Sequence, residues 1–121
     1  MKIILVLLTI HTAFAADPVQ DRDVWRIGTK YYSFQKDKTT NALLTADCLG
    51  KKKSCEAYKA LLNKNKIQVS EKDRAGGKNP GAVVCKKNYG GEVLILRNSA
   101  DNESAFCKFK DNSIASASDL F

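Results

Sequence analysis

Histidine is the scarcest of the chemically versatile residues in this 121-residue chain. The only one, His11, lies in the first 15 residues, which have the features of a cleaved leader. Without it, the rest of the chain has no base for a Ser–His or Cys–His nucleophile pair and no histidine ligand for zinc. The G-x-S-x-G, phosphate-loop and calcium-loop motifs are also missing. These absences predict a protein that is not an enzyme and that holds no metal or cofactor.

Long hydrophobic runs are missing as well. The apolar stretch at residues 3–10 is too short for a transmembrane helix, which needs about 20 residues. It follows Lys2 and leads to Ala13-Phe14-Ala15, a small-x-small cleavage signature. We therefore predict a signal peptide over residues 1–15, removal near Ala15, and a mature chain that is periplasmic or secreted and has no transmembrane segment.

Carboxylates are the remaining candidates for catalysis, because a glycoside hydrolase needs only a pair of them. Asp47 and Glu56 adjoin Cys48 and Cys55 in the sequence and would be close together if these two cysteines formed a bridge. Carboxylates on helices are usually solvated and have no catalytic part. A small secreted hydrolase is therefore our third functional hypothesis.

All four cysteines follow the predicted signal peptide, in a chain whose export would favour disulfides. They allow three connectivities, and the sequence alone does not choose among them. Pairing within local units favours Cys48 with Cys55 and Cys85 with Cys107, and these loops would stabilise the fold by about 2.5 and 3.4 kcal/mol. The alternative is one zinc ion held by four thiolates, but the close C-x-x-C pairs usual in such sites are missing.

The C-terminal third carries the strongest local signals of structure. Asn79 is a good helix cap, Pro80 suits the first helical position, and Gly90 can take the left-handed conformation that ends a helix. Residues 93–96 and 105–109 are β-forming runs with turn-forming residues between them. We therefore predict one short helix followed by an antiparallel hairpin.

The same stretch resembles a small bacterial family, number 333 in the domain-of-unknown-function series, whose members are often labelled hemolysins. The resemblance covers about residues 76–121 and rests on Asn79-Pro80, Cys85, Gly90-Gly91 and Cys107-x-Phe109-x-Asp111-x-Ser113. It implies export to the bacterial envelope and a bridge between Cys85 and Cys107, but no established activity. The chain departs from the family pattern at Gly81-Ala82, where Ala-Ser is usual, at Asn112, where Gly is usual, and in its shorter tail.

The first predicted element after the signal peptide is a strand at residues 24–34, bent near Gly28. Its aromatic residues are interleaved with Arg26 and Lys30, which would suit a platform that stacks nucleic-acid bases or sugar rings. The alternative is that they form the buried face of a strand. The aromatic residues are Trp25, Tyr31, Tyr32 and Phe34.

Two short helices are predicted next, over residues 41–49 with Thr40 as cap and over residues 55–64 with Ser54 as cap. A short strand at residues 67–69 and a polar linker at residues 70–78 would follow. The predicted fold is therefore α+β, a small disulfide-stapled domain in which short helices pack on an antiparallel sheet with a C-terminal hairpin. It divides into the signal peptide (1–15), an N-terminal strand and helical-hairpin region (16–75) and a helix–hairpin module (76–121).

Positive charge is concentrated in the middle of the chain. Residues 51–87 carry eleven basic and three acidic side chains, whereas residues 16–50 are balanced and residues 92–121 have a small acidic excess. A field of that sign raises the local concentration of anionic partners. The alternative is a solvated surface that only keeps the protein soluble. The lysines that we predict to bind an anionic partner are Lys51, Lys52, Lys53, Lys59, Lys64, Lys66, Lys86 and Lys87.

Our leading hypothesis is an exported, non-catalytic and monomeric basic module that binds an anionic partner. That partner would be an envelope polymer, a lipid headgroup or an acidic protein, and specific recognition of nucleic acid is not expected. The second hypothesis is a periplasmic inhibitor or accessory protein that acts through the loop at residues 98–103.

Overall fold

The computed structural model describes residues 22–51 and 54–121, without the side chain of Arg22. Within them, six antiparallel strands close into one barrel. The strands are β1 (Arg22–Ile27), β2 (Lys30–Lys36), β3 (Leu43–Thr45), β4 (Glu92–Arg97), β5 (Glu103–Lys108) and β6 (Ile114–Ser116). The helices between β3 and β4 are α1 (Ala46–Leu49), α2 (Glu56–Leu62), α3 (Glu71–Arg74) and α4 (Pro80–Tyr89); 3-10 turns lie at Lys64–Lys66 and Ala117–Leu120. The predicted signal peptide, Lys52 and Lys53 lie outside the described residues.

Two three-stranded meanders, one from each half of the chain, build the barrel. The order of neighbouring strands is β1-β2-β3-β6-β5-β4, and the ends of this row meet. One seam pairs Leu44 of β3 with Ala115 of β6, and the other pairs Arg26 of β1 with Arg97 of β4. The predicted region 16–75 and the predicted module 76–121 therefore contribute strands to one sheet. The predicted mixture of short helices and antiparallel strands is confirmed, whereas the closure into a barrel was not predicted.

Alternate strand positions supply two hydrophobic clusters, because successive side chains point to opposite faces of a strand. One cluster lies inside the barrel and consists of Phe34, Leu96, Phe106 and Ile114, with Trp25 and Tyr32 packed against it. The other lies on the outer face, where Leu44, Cys107 and Ala115 are covered by α2, α4 and the last turn. The covering residues include Ala57, Ala60, Leu61, Val84 and Leu120.

The helices cover only one side of the barrel. Val24 on β1, Tyr31 on β2 and Ile95 on β4 alternate with inward-facing neighbours and remain 52%, 66% and 51% exposed. The outer face of these three strands is therefore open to solvent. None of the helices in the described part of the chain is long and apolar enough to cross a membrane.

The predicted single strand at residues 24–34 is wrong, because two strands occupy this region. Gly28 has a φ of 57°, and β1 and β2 pair from Ile27 and Lys30 onward across a two-residue turn. Positive φ at the first turn residue suits such a tight hairpin, since it matches the twist of the flanking strands. The aromatic residues are consequently divided: Trp25, Tyr32 and Phe34 point inward and Tyr31 points outward, so they form no common platform.

The predicted helix at residues 41–49 is wrong in its first half, which forms β3. Thr40 does not cap a helix; its N–H and its hydroxyl both donate to Oδ2 of the buried Asp37 at 2.8 Å and shape the turn between β2 and β3. The predicted strand at residues 67–69 is absent, since these residues are irregular. Part of the predicted linker at residues 70–78 forms α3.

The helix–hairpin prediction for the C-terminal third is confirmed. Asn79 Oδ1 accepts the N–H of Gly81 at 2.9 Å, and Gly90 ends α4 in the left-handed conformation with a φ of 59°. The structure contains both of the favoured disulfides, Cys48–Cys55 and Cys85–Cys107, with Cα–Cα distances of 5.5 and 5.7 Å. The second bridge fastens α4 to β5.

Ser54 does not cap α2, contrary to the prediction; the cap comes from the turn between β5 and β6. Asp111 Oδ2 accepts the N–H of Glu56 at 2.9 Å, and Ser113 Oγ accepts the N–H of Ala57 at 3.0 Å. The N–H and the hydroxyl of Ser113 both donate to Asp111 Oδ1. The first two N–H groups of α2, which no helical carbonyl can satisfy, are thus paired with side chains more than fifty residues away.

Candidate functional site

The most distinctive surface feature near the basic segment is a groove along α4, which we call the α4 groove. It has a volume of about 360 Å³ and an apolar floor formed by Ala82, Val83 and Val93. Its rim consists of Lys78, Asn79, Lys86 and Lys87. Residues three or four apart lie on one side of a helix, which is why 79, 82, 83, 86 and 87 share this groove.

The other side of α4 is anchored, so the groove has a fixed frame. Val84 and Cys85 are fully buried, and the bridge from Cys85 to Cys107 holds the helix against β5. A Cβ on Gly91 would lie 2.9 Å from Cys85 Sγ and 2.8 Å from Cys107 Sγ. The Gly-Gly pair of the sequence motif therefore ends the helix with its first residue and makes room for the disulfide with its second.

The three lysines of the α4 groove differ in their partners. Lys87 Nζ forms an ion pair with Asp73 of α3, and the hydrogen bond from Lys87, followed by that from Ser70, lowers the pKa of Asp73. Lys78 and Lys86 are exposed and have no ion pair within residues 22–51 and 54–121, although Lys78 acts electrostatically on Asp73 and helps to lower its pKa. Two ammonium groups thus remain available beside an apolar floor, a combination that suits a ligand with an anionic head and an apolar body.

Lys86 and Lys87 also have a structural role, because they lie in the last turn of α4. Cations near a helix C-terminus interact favourably with its dipole, by about 0.3–1 kcal/mol each at exposed positions. This role accounts for positive charge at the end of the helix. It does not account for Lys78, which precedes the N-terminus, nor for the apolar floor between the lysines.

The predicted anion-binding lysines do not all lie at this groove. Lys86 and Lys87 line it, whereas Lys51 lines a second cavity beside the Cys48–Cys55 bridge. Lys59 is exposed on α2, and Lys64 and Lys66 belong to the 3-10 turn that follows α2. Lys64 and Lys36 act electrostatically on Asp119.

Sequence reasoning missed Lys78 and the apolar floor. The spacing of three or four residues that relates Ala82 and Val83 to Lys86 and Lys87 could have found the floor, since it indicates a single helix side; Lys78 precedes the helix and gives no such signal.

The second cavity bears on the predicted carboxylate pair. It has a volume of about 360 Å³ and is lined by Asp47 and Asp111, but Glu56 does not line it. Burial raises the pKa of Asp111, but hydrogen bonds from the Glu56 N–H and from Ser113 outweigh it and hold this pKa below its usual range. A general acid needs a raised pKa. Asp111 is therefore suited to capping α2 and not to donating a proton.

No family model, curated protein or solved structure matches this chain. The bridges and the capped α4 are nevertheless features that define a class: a small, disulfide-stabilised, mixed helix and strand domain. Disulfides of this kind are typical of an oxidising, extracytoplasmic environment.

Proposed function

We propose that this protein is an exported, non-catalytic module that binds an anionic envelope lipid along the α4 groove. The observation that carries the proposal is the pair of unpaired lysines, Lys78 and Lys86, on either side of an apolar floor. An anionic polymer would use the lysines and leave the floor exposed. A lipid uses both, since its headgroup pairs with the ammonium groups while the adjoining chain covers Ala82, Val83 and Val93.

The expected contribution of Lys78 and Lys86 to lipid binding follows from their two positive charges. Each lysine near an anionic membrane surface contributes about 1 kcal/mol. Replacing Lys78 and Lys86 by glutamine should thus weaken binding to vesicles of phosphatidylglycerol and phosphatidylcholine roughly 30-fold. Binding to phosphatidylcholine alone should be weak for the unmodified protein and for the variant.

A matched control keeps the test specific. The Lys59→Gln/Lys66→Gln variant removes the same charge from exposed positions on α2 and on the turn after it. Vesicle co-sedimentation should show a much smaller loss for this variant, and added salt should weaken binding by the unmodified protein. Equal losses for both variants, or binding that does not respond to salt, would contradict a localised groove.

We also propose that residues 76–121 belong with domain-of-unknown-function family 333. Support comes from the roles of the motif residues: Asn79 caps α4, Cys85 and Cys107 form a bridge, and Asp111 with Ser113 caps α2. Residues that act together in one structural unit are a sharper signature than the same residues in isolation. A structure of a family member in which the cysteines that correspond to Cys85 and Cys107 are not bridged would contradict the assignment.

The inhibitor hypothesis draws on the loop between β4 and β5. Asn98 Oδ1 accepts the N–H groups of Ala100 and Asn102 at 3.0 Å, so the loop is held by its own hydrogen bonds. A preorganised loop loses little entropy on binding a partner. Partner capture that is abolished by shortening this loop, yet insensitive to Lys78→Gln/Lys86→Gln, would favour this function over lipid binding.

A further inference from the structure

Three side chains form a row across the uncovered side of the barrel. Arg97 of β4 lies directly opposite Arg26 of β1 in the strand register, and Arg26 lies directly opposite Tyr31 of β2. Directly opposite residues on neighbouring strands point to the same face. Since adjacent strands lie about 4.8 Å apart, the row spans about 10 Å on the outer surface.

This row lines a surface cavity with a volume of about 490 Å³. Tyr31 and Val24 form its apolar wall and are 66% and 52% exposed. The polar residues Asp23, Asn98 and Ser99 complete the lining. Within the described residues no helix packs over this side, so the cavity opens to solvent.

The two arginines are an unusual neighbouring pair, because like charges directly opposite each other destabilise a sheet. Asp101 lies between them, 3.4 Å from Arg26 and 3.9 Å from Arg97. Both distances exceed the 2.7–2.9 Å typical of strong charge-assisted hydrogen bonds. Arg97 has a second partner in Glu103, but Arg26 has only Asp101 among the described residues. Each guanidinium has five N–H donors, and Asp101 and Glu103 together occupy only some of them, so both groups retain donors for a further anion.

We propose that this cavity binds a phosphorylated sugar. A guanidinium fork matches the oxygens of a phosphate ester, and two forks side by side can hold one such group. The exposed ring of Tyr31 offers a flat apolar surface to the C–H face of a sugar ring. Ser99 can donate hydrogen bonds to sugar hydroxyls and accept them, and Asn98 can donate through Nδ2, because its Oδ1 already accepts the N–H groups of Ala100 and Asn102.

This site is separate from the α4 groove and does not depend on lipid binding there. The phosphorylated sugar could be a free sugar phosphate or a unit of an envelope polymer, because both present the same chemistry. Glucose 6-phosphate and a phosphomannan polysaccharide represent the two sources. Tighter binding of the polysaccharide, with the same response to the variants below, identifies the polymer as the source.

Calorimetric titration of the intact chain tests the proposal. Glucose 6-phosphate should bind more tightly than either glucose or inorganic phosphate. Arg26→Gln should weaken it about tenfold or more, and Tyr31→Ala roughly threefold to tenfold. Asp101→Asn should strengthen binding, because it frees Arg26, and asparagine tolerates the φ of 62° at this position.

Two controls keep the result interpretable. Lys110→Gln removes one positive charge from a different exposed surface and should leave binding unchanged. Unchanged thermal unfolding of Arg26→Gln and Tyr31→Ala separates loss of binding from loss of folding. The proposal is overturned if inorganic phosphate binds as well as glucose 6-phosphate, if Tyr31→Ala has no effect, or if adenosine monophosphate binds more tightly and makes the base the recognised group.

Discussion

Replacing Ser113 by alanine tests how the C-terminal turn is joined to the helical region. The Ser113 side chain is nearly buried, and its Oγ accepts the N–H of Ala57, which is fully buried. Without this oxygen, the Ala57 N–H would have no partner and Asp111 would lose the Ser113 hydroxyl donor. A buried unsatisfied group costs about 1–3 kcal/mol, and loss of a helix cap costs about 0.5–2 kcal/mol.

We therefore expect Ser113→Ala to lower the free energy of unfolding by about 2 kcal/mol. For a domain of this size, 1 kcal/mol shifts Tm by about 4–8 °C, so Tm should fall by about 8–16 °C. Urea unfolding followed by circular dichroism, with the disulfides intact, measures the change directly. Ser99→Ala is the control, since Ser99 is exposed and its hydroxyl has no hydrogen bond in the described chain. A loss for Ser113→Ala as small as that of the control, within about 0.5 kcal/mol, would refute the tertiary cap.

Three further predictions concern packing and charge. A Cβ on Gly81 would lie 1.7 Å from the carbonyl oxygen of Ala117, so Gly81→Ala should lower the free energy of unfolding in urea by about 3 kcal/mol; an unchanged value would contradict this close approach. Burial raises the pKa of Asp119, and Lys64 only partly offsets it. The contribution of Asp119 to the free energy of unfolding is therefore present at low pH and is lost as pH rises through the folded pKa of Asp119. Asp119→Asn should accordingly raise Tm at pH 7 and lose this benefit in acid. The pKa of Asp111 is lowered, so its effect on stability depends on pH in the opposite direction to that of Asp119. Asp111 stabilises the fold above about pH 4, and this stabilisation is lost as pH falls through its folded pKa. Asp111→Asn should thus remove part of the acid sensitivity of unfolding, and an unchanged pH profile would contradict it.

The α4 helix and the following hairpin were predictable because their signals are local. Asn79 caps a helix that starts at the next residue, and Gly90 ends that helix at the expected place. The Cys48–Cys55 bridge was favoured for a similar reason, since its ends lie only seven positions apart in the sequence. Each of these features depends on interactions between residues close together in the sequence.

The errors fell where distant residues decide the local structure. Residues 43–45 look helical by spacing, yet they form β3 because Leu44 pairs with Ala115 and packs under the helices. Ser54 looked like the cap of α2, but Asp111 and Ser113 supply it from more than fifty residues away. The turn at Gly28 lacks the Asn-Gly or Asp-Gly pair that marks the clearest hairpins, so β1 and β2 were merged into one strand.

The sequence by itself determined the capped helix, the hairpin, the favoured pairing of cysteines and the concentration of lysines in the middle of the chain. Only the tertiary structure decided that the strands close into a barrel, that Lys78 and Lys86 flank an apolar floor while Lys51 lies elsewhere, and that Arg26, Arg97 and Tyr31 form a row. The physical reason is that strand register and helix docking are set by burial summed over the whole chain. Local spacing records which residues are neighbours along an element, but not which elements become neighbours in space.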